Sequence, residues 1–272
     1  MRQRCVTALL LLFPLAGLLA QSAPDPFGSR RRATGASVAP VFEGWEPNPD
    51  GTFNLYFGYQ NRNWQEELDI PVGENNHFSP GPSDRGQPTH FLVNRQKLLF
   101  AVAVPHDFGE QTLVWTLVSH GRTETVPAKL APVFQIATRK DNKNAAPVVN
   151  LGPERTVVVG QPVTLDAAIA SGRDTAPSAG PGGQTSRGNA SRLTVKWTKY
   201  RGPGHVTFTD PAPPVKAGQA VTRATFTEPG EYVLHALADE GSRNDAAQSS
   251  GIPGFLCCWT NARLKITVRQ SP

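Results

Sequence analysis

The chain has 272 residues, 39% of them apolar and 18% charged, a globular balance with length enough for two ordinary domains. Glycine and proline number 25 each against one methionine, and no long stretch of helical periodicity occurs, which excludes a helical bundle and favours short strands joined by turns. The formal charge of +5 is carried mostly by the first 38 residues, leaving 22 basic against 21 acidic residues beyond them and so no excess for a nucleic-acid partner.

Met1 to Ala20 places Arg2 and Arg4 ahead of an apolar run from Val6 to Leu19, broken by Pro14 and Gly17 and too short to cross a bilayer comfortably. That is the pattern of an export signal, with cleavage expected after Ala20. Cys5 precedes the apolar run and would leave with it. No later apolar run is long enough to span a membrane, so the sequence predicts a soluble product, secreted or periplasmic. Residues 21–38 are rich in Pro, Ser, Arg and Gly without periodicity and read as a flexible leader.

The first domain is expected over 39–130. Asn48-Pro49-Asp50-Gly51 is a turn signal leading into Thr52 to Tyr59, where Phe53, Leu55, Phe57 and Tyr59 alternate with Asn54, Tyr56 and Gly58. Further strands are expected at Glu67 to Val72, Thr89 to Val93, Lys97 to Val104, Thr112 to Ser119 and Thr123 to Pro127, enough for a sandwich. The segments DGTFNLYFGYQNRN, IPVGENNHFSP, DRGQPTHF and LVWTL resemble an uncharacterised module of secreted bacterial proteins, over Trp45 to about Pro127. The resemblance implies architecture and location and brings no ligand. A polar run marks 131–145 as a linker.

The second domain is expected over 146–270. Leu193, Val195 and Trp197 alternate with Thr194, Lys196 and Thr198, Arg201 to Gly204 breaks the strand, and Val206 and Phe208 resume it in a hairpin-like connection. Ala224 and Phe226 face inward before the Glu228-Pro229-Gly230 turn, and Tyr232, Leu234, Ala236 and Ala238 form the next inward row. Trp197, Phe208, Phe226, Tyr232, Leu234 and Ile266 are the expected core. A buried Trp on one strand and a Tyr at a later strand's entrance are what an immunoglobulin-like sandwich uses to lock its sheets. WTKYRGPGHVTF and TRATFTEPGEYVLHALADEG, with APVVNLGPERTVVVGQPVTLDA before them, resemble the PKD family of Ig-like domains in secreted bacterial proteins. The chain departs from that family at Ser171 to Ser191, where a Gly/Ser/Pro/Thr run stands in place of a short acidic loop, so the resemblance does not carry over a calcium site there. The expected fold class is therefore all-β, two consecutive β-sandwich domains.

Chemistry is sparse. The six histidines show no pair at metal-ligand spacing, and His106-Asp107 and Ser119-His120 are adjacent, which in strands sends their side chains to opposite faces. Neither makes a dyad, so no catalytic residue, metal or cofactor is assigned. Glu66, Glu67 and Asp69 form an acidic cluster, read as the solvated side of a strand entrance. Tyr56, Tyr59, Arg62 and Trp64 are the candidate ligand-binding residues, because aromatic faces beside amide and guanidinium donors suit a sugar ring. Against this stands the reading in which Tyr59 and Trp64 fill the core while Asn61-Arg62-Asn63 turns the chain. Cys257 and Cys258 are the only cysteines beyond the signal. Export would pair them as a vicinal disulfide, whereas their Cα separation of about 3.8 Å falls short of the usual range. The expected function is a non-catalytic interaction or spacer protein of the bacterial envelope, binding protein or surface glycan through loops and strand edges. The alternative is a carbohydrate-binding or weakly hydrolytic secreted protein.

Overall fold

The computed structural model describes residues 32–136, 146–172, 193–240 and 259–270. Among them every extended element is a strand, and the one helical turn is a 3-10 turn at Pro132–Phe134.

Strands β1 (Val38–Pro47), β2 (Phe53–Asn61) and β6 (Asn94–Val104) form one sheet in the order β1-β2-β6. Strands β4 (Asn76–Ser79), β7 (Leu113–Ser119) and β8 (Arg122–Ala128) form a second, in the order β4-β7-β8, and β3 (Leu68–Asp69) pairs with β5 (His90–Phe91). The sandwich follows from period two: Leu55, Phe57 and Tyr59 of β2 and Leu113, Trp115 and Leu117 of β7 are all buried. Aromatic rings fill the space between the sheets. Phe57 stacks on Phe100 at 5.5 Å between ring centres, Phe78 on Trp115 at 5.6 Å, and the two pairs meet edge to face. Strand β4 carries little sequence signal and is held from its side chains instead. Asn76, fully buried, accepts from Trp115 Nε1 at 3.0 Å and donates to the carbonyls of Ile70 and Pro88 at 2.9 and 2.8 Å.

Strands β9 (Val148–Asn150), β10 (Arg155–Val158), β11 (Val163–Ala170), β12 (Thr194–Arg201), β13 (Val206–Phe208), β14 (Gln219–Phe226), β15 (Gly230–Asp239) and β16 (Trp259–Arg269) build the second sandwich. Its sheets run β13-β14-β11-β9 and β10-β16-β15-β12, antiparallel except where β10 runs parallel to β16. The first edge strand thus splits between the two sheets, as in immunoglobulin-like domains. Tyr232 is buried and its hydroxyl donates to Glu228 O at 2.9 Å, the tyrosine corner of that fold. Trp197, Phe226, Tyr232, Leu234 and Ile266 lie in the core as expected, with Phe208 half-buried at its rim.

Three expectations are corrected. Arg201 to Gly204 is not a hairpin: β12 pairs with β15 and β13 with β14, so this connection crosses from one sheet to the other. The leader does not run to residue 38 untethered. Val38 begins β1 fully buried, and the Asn63 side chain accepts from Ala36 N at 2.7 Å and donates to Ala36 O at 2.8 Å, holding the chain as a strand neighbour would. The first residues of the expected linker are docked too: Trp45 Nε1 donates to Ala131 O at 2.8 Å, Ile136 N donates to Trp45 O at 2.8 Å, and Ile136 is buried.

Candidate functional site

The four candidate ligand residues do not converge. Tyr59 is a core residue whose hydroxyl accepts from Leu92 N at 2.8 Å, and burial pushes that hydroxyl's pKa up. Arg62 is paired with Glu124 and donates to Ser37 Oγ at 2.6 Å. Trp64 is 51% exposed, and Tyr56 lies on the other face of β2, its hydroxyl bonded to Glu46. Asn61 and Asn63, between them, are buried and bonded to each other and to backbone, which ends their use as sugar ligands. Cys257 and Cys258 lie outside the described residues.

What the structure brings together instead lies between the two sandwiches. The outer face of β12, β15 and β16 is covered by β5, β6 and the segment ahead of β5. Tyr200 reaches into the core of the first sandwich, fully buried, and donates its hydroxyl to Gly86 O at 2.6 Å. Thr89 N donates to Tyr200 O at 3.0 Å, Arg201 Nε to Gln87 O at 2.6 Å, and the two terminal nitrogens of Arg201 meet the Asp84 carboxylate at 2.9 and 2.7 Å. That fork holds the Asp84 carboxyl below its usual range. Arg263 stacks over the Tyr200 ring at 4.3 Å and bonds its hydroxyl at 3.1 Å.

Two histidines stand behind this seam. His90 Nδ1 faces Asp69 Oδ1 at 2.9 Å and Nε2 faces Glu67 Oε2 at 3.0 Å, while Lys199 Nζ reaches Asp69 at 2.8 Å from the second sandwich. Burial works to lower the His90 pKa, but the bonds to Asp69 and Glu67 outweigh it and leave it raised. Both ring nitrogens of His90 thus face carboxylates, and its protonated form donates to each of them. Glu66 turns to different partners, Gly35 N at 2.6 Å and His120 at 3.2 Å, so the acidic cluster is divided rather than solvated as one face. The His90 arrangement was visible in outline, since Glu67 and Asp69 share a face of one expected strand and His90 lies on the next. Its signal is the register, in which Asp69 stands directly opposite His90.

The second histidine, His235, is buried on β15 with Nε2 on Asn261 Oδ1 at 2.8 Å and Nδ1 on Thr198 Oγ1 at 3.3 Å. Asn261 Nδ2 in turn donates to Leu98 O of β6 at 2.9 Å. A cavity of about 80 Å³ lies beside it, lined by Tyr59, His90, Gln96, Lys199 and Tyr200 among others. A wider cleft of about 430 Å³ opens along the same seam, with Tyr56, Ala101, Trp259, Asn261 and Arg263 in its walls. Among the described residues, no group of three or more His, Cys, Asp or Glu side chains is placed to hold a metal ion, and no helix is long and apolar enough to cross a membrane.

No known family model and no characterised protein matches the chain. Solved structures similar to it include the D00–D0 domains of intimin, at 9% identity over 85% of this chain and 100% of that one, with a TM-score of 0.28. A titin M10–obscurin-like 1 Ig complex is similar at 14% identity over 47% of this chain and 98% of that one, with a TM-score of 0.27. Domains 4 and 5 of the S-layer protein SbsC are similar at 11% identity over 58% of this chain and 65% of that one, with a TM-score of 0.26. At such scores the immunoglobulin-like assignment rests on the strand order, the parallel β10–β16 pair and the Tyr232 corner described above.

Proposed function

We propose that this chain is an exported, non-catalytic interaction and spacer protein of the bacterial envelope or cell exterior, contacting protein or surface glycan through loops and strand edges. The observation that carries the reading is Tyr200, a side chain of the second sandwich seated in the core of the first. A spacer must transmit position from one end to the other, and a shared core residue backed by the Arg201–Asp84 fork couples the sandwiches as a flexible linker would not. The signal-like N-terminus and the PKD and secreted-module resemblances supply the exported bacterial setting, with 39–130 and 146–270 as the two domains. Leu98 and Leu99 of β6 accept from Asn261 and Arg263, so strand addition would use other edges. The hydrolytic alternative is disfavoured because Glu66 and Glu67 are each engaged by a different histidine, and its sugar-binding part would fall to the cleft along the seam rather than to Tyr59 and Trp64.

Crosslinking in the native cell followed by mass spectrometry tests the proposal. The expected result is a chain lacking residues 1–20, recovered outside the cytoplasm and joined to a surface protein or glycan. An uncleaved chain confined to the cytoplasm would overturn it.

A further inference from the structure

The alternation of β15 sends Tyr232, Leu234, Ala236 and Ala238 into the second sandwich's own core and Val233, His235 and Leu237 to the opposite face. In an isolated sandwich that opposite face would meet solvent. Here Val233 packs against the first sandwich's core, and His235 keeps only 6% of its surface. The burial of His235 is thus a property of the seam rather than of its own domain.

The charged side chains that the second sandwich brings to His235 and its cavity, Arg263, Lys196 and Lys199, are all cationic. Arg263 and Asn261 face it from β16, and Thr198, Tyr200, Lys196 and Lys199 come from β12. Tyr59, Gln96 and His90 line the same cavity from the first sandwich. Glu67 and Asp69, which reach this cavity's lining through His90 and Lys199, are engaged by those two side chains. The neutral ring fits its partners completely. Asn261 spends its amide protons toward Leu98 O and so accepts from Nε2, while Thr198 can donate to Nδ1.

We propose that the seam is an acid-sensitive joint, in which protonation of His235 favours separation of the two folded sandwiches and stiffness is lost as the surroundings acidify. A proton on His235 would bring a charge into a site without a carboxylate partner and beside Arg263. Separation restores water to the ring.

Burial first, and the Arg263 charge after it, pull the His235 pKa from 6.5 to about 4 against the bond to Asn261. The joined form therefore binds this proton less well than the open form. Its advantage is complete above about pH 6.5 and falls as pH drops toward 4, by roughly tenfold per unit and about 10²–10³-fold in all. His90 does not oppose this change, because Glu67, Asp69 and His90 all belong to the first sandwich and stay together on opening. Its role is to hold Asp69 where Lys199 can reach it.

Amide hydrogen exchange in the signal-free chain, followed by NMR from pH 7.5 to 4 and corrected for intrinsic rates, tests the joint. Thr89 N–H reports the seam through its bond to Tyr200 O, and Trp115 N–H reports the first sandwich's core. The expected result is protection at Thr89 falling by 10²–10³-fold between pH 6.5 and 4 with Trp115 protected throughout, and a much flatter profile in His235→Gln. Constant protection at Thr89, a parallel loss at Trp115, or the same fall in His235→Gln would overturn the proposal. Should His235→Gln already be open at pH 7.5, the wild-type His235 ring titration decides: a midpoint near 6.5 sinks the idea, and one near 4 sustains it.

Discussion

Trp115 and Trp197 are both essentially buried, one in each sandwich, yet their indole nitrogens differ: Trp115 Nε1 donates to Asn76 Oδ1, while Trp197 Nε1 has no hydrogen-bond partner among the described residues. Replacing either by Phe removes similar volume, so the difference between the two variants isolates the polar atom. In Trp115→Phe the Asn76 carbonyl is left buried without its donor, an added cost of about 1–3 kcal/mol. In Trp197→Phe an unpaired buried N–H disappears, which offsets part of the cavity penalty. Urea unfolding should therefore rank Trp115→Phe as the more destabilising by at least about 1 kcal/mol at unchanged m-value, and equal midpoint shifts would show the Asn76 bond to be worth nothing net. The alternation of β12 made Trp197 legible as core, while Trp115 was placed only within an expected strand. Their hydrogen bonding was not legible, because Asn76 lies 39 positions from Trp115 in a segment whose residues give no strand pattern.

At the scale of elements, the connection after β12 shows what a turn signal conveys and what it withholds. Arg201-Gly202-Pro203-Gly204 announces a break, since Pro cannot donate and Gly accepts positive φ, but the same signal serves a hairpin or a crossing between sheets. The choice is made by Tyr232, whose ring packs under the connection: a Cβ on Gly202 would lie 2.3 Å from Tyr232 Cδ1, at a φ of +128°. A side chain there would push the corner tyrosine out of place, so Gly202→Ala should cost about 2–4 kcal/mol from the left-handed backbone and the overlap together. Gly160 also has positive φ, +75°, but nothing lies within 4 Å of its missing Cβ. Gly160→Ala should cost only about 1–2 kcal/mol. Thermal melts of the pair check the argument, and equal losses would mean that contact with Tyr232 does not hold the crossing. The other misread elements have the same cause. The stretch before β1 and the residues after Leu130 look like tethers because they lack periodicity, and they are fixed by single distant side chains, Asn63 and Trp45.

For the whole molecule, the question is whether two sandwiches with separate cores unfold as one. Alternation made each core readable, but the seam is written in residues that break the polar face of β12 and β15: Tyr200, Val233 and Leu237 stand where a solvated sheet would carry polar side chains. Such interruptions are a detectable sign that a sheet face is covered, although they do not identify what covers it. Tyr200 is counted in the first sandwich's core while belonging to the second's strand, with its hydroxyl on Gly86 O and Arg263 over its ring. Tyr200→Ala would leave a cavity in one domain and strip an anchor from the other, at a cost of about 3–5 kcal/mol. That loss falls on the coupling rather than on either core, since the Phe57–Trp115 and Trp197–Tyr232 groups keep their own contacts. Differential scanning calorimetry should then show one cooperative transition for the signal-free wild-type chain and two for Tyr200→Ala, because a sandwich that no longer gains from its neighbour melts at its own temperature. Two transitions already present in the wild type would mean that the seam contributes little and that the domains are independent. A single transition in Tyr200→Ala, lowered but undivided, would instead place the coupling in the Arg201–Asp84 fork and the Lys199–Asp69 pair. Adding Asp84→Ala to Tyr200→Ala should in that case divide it.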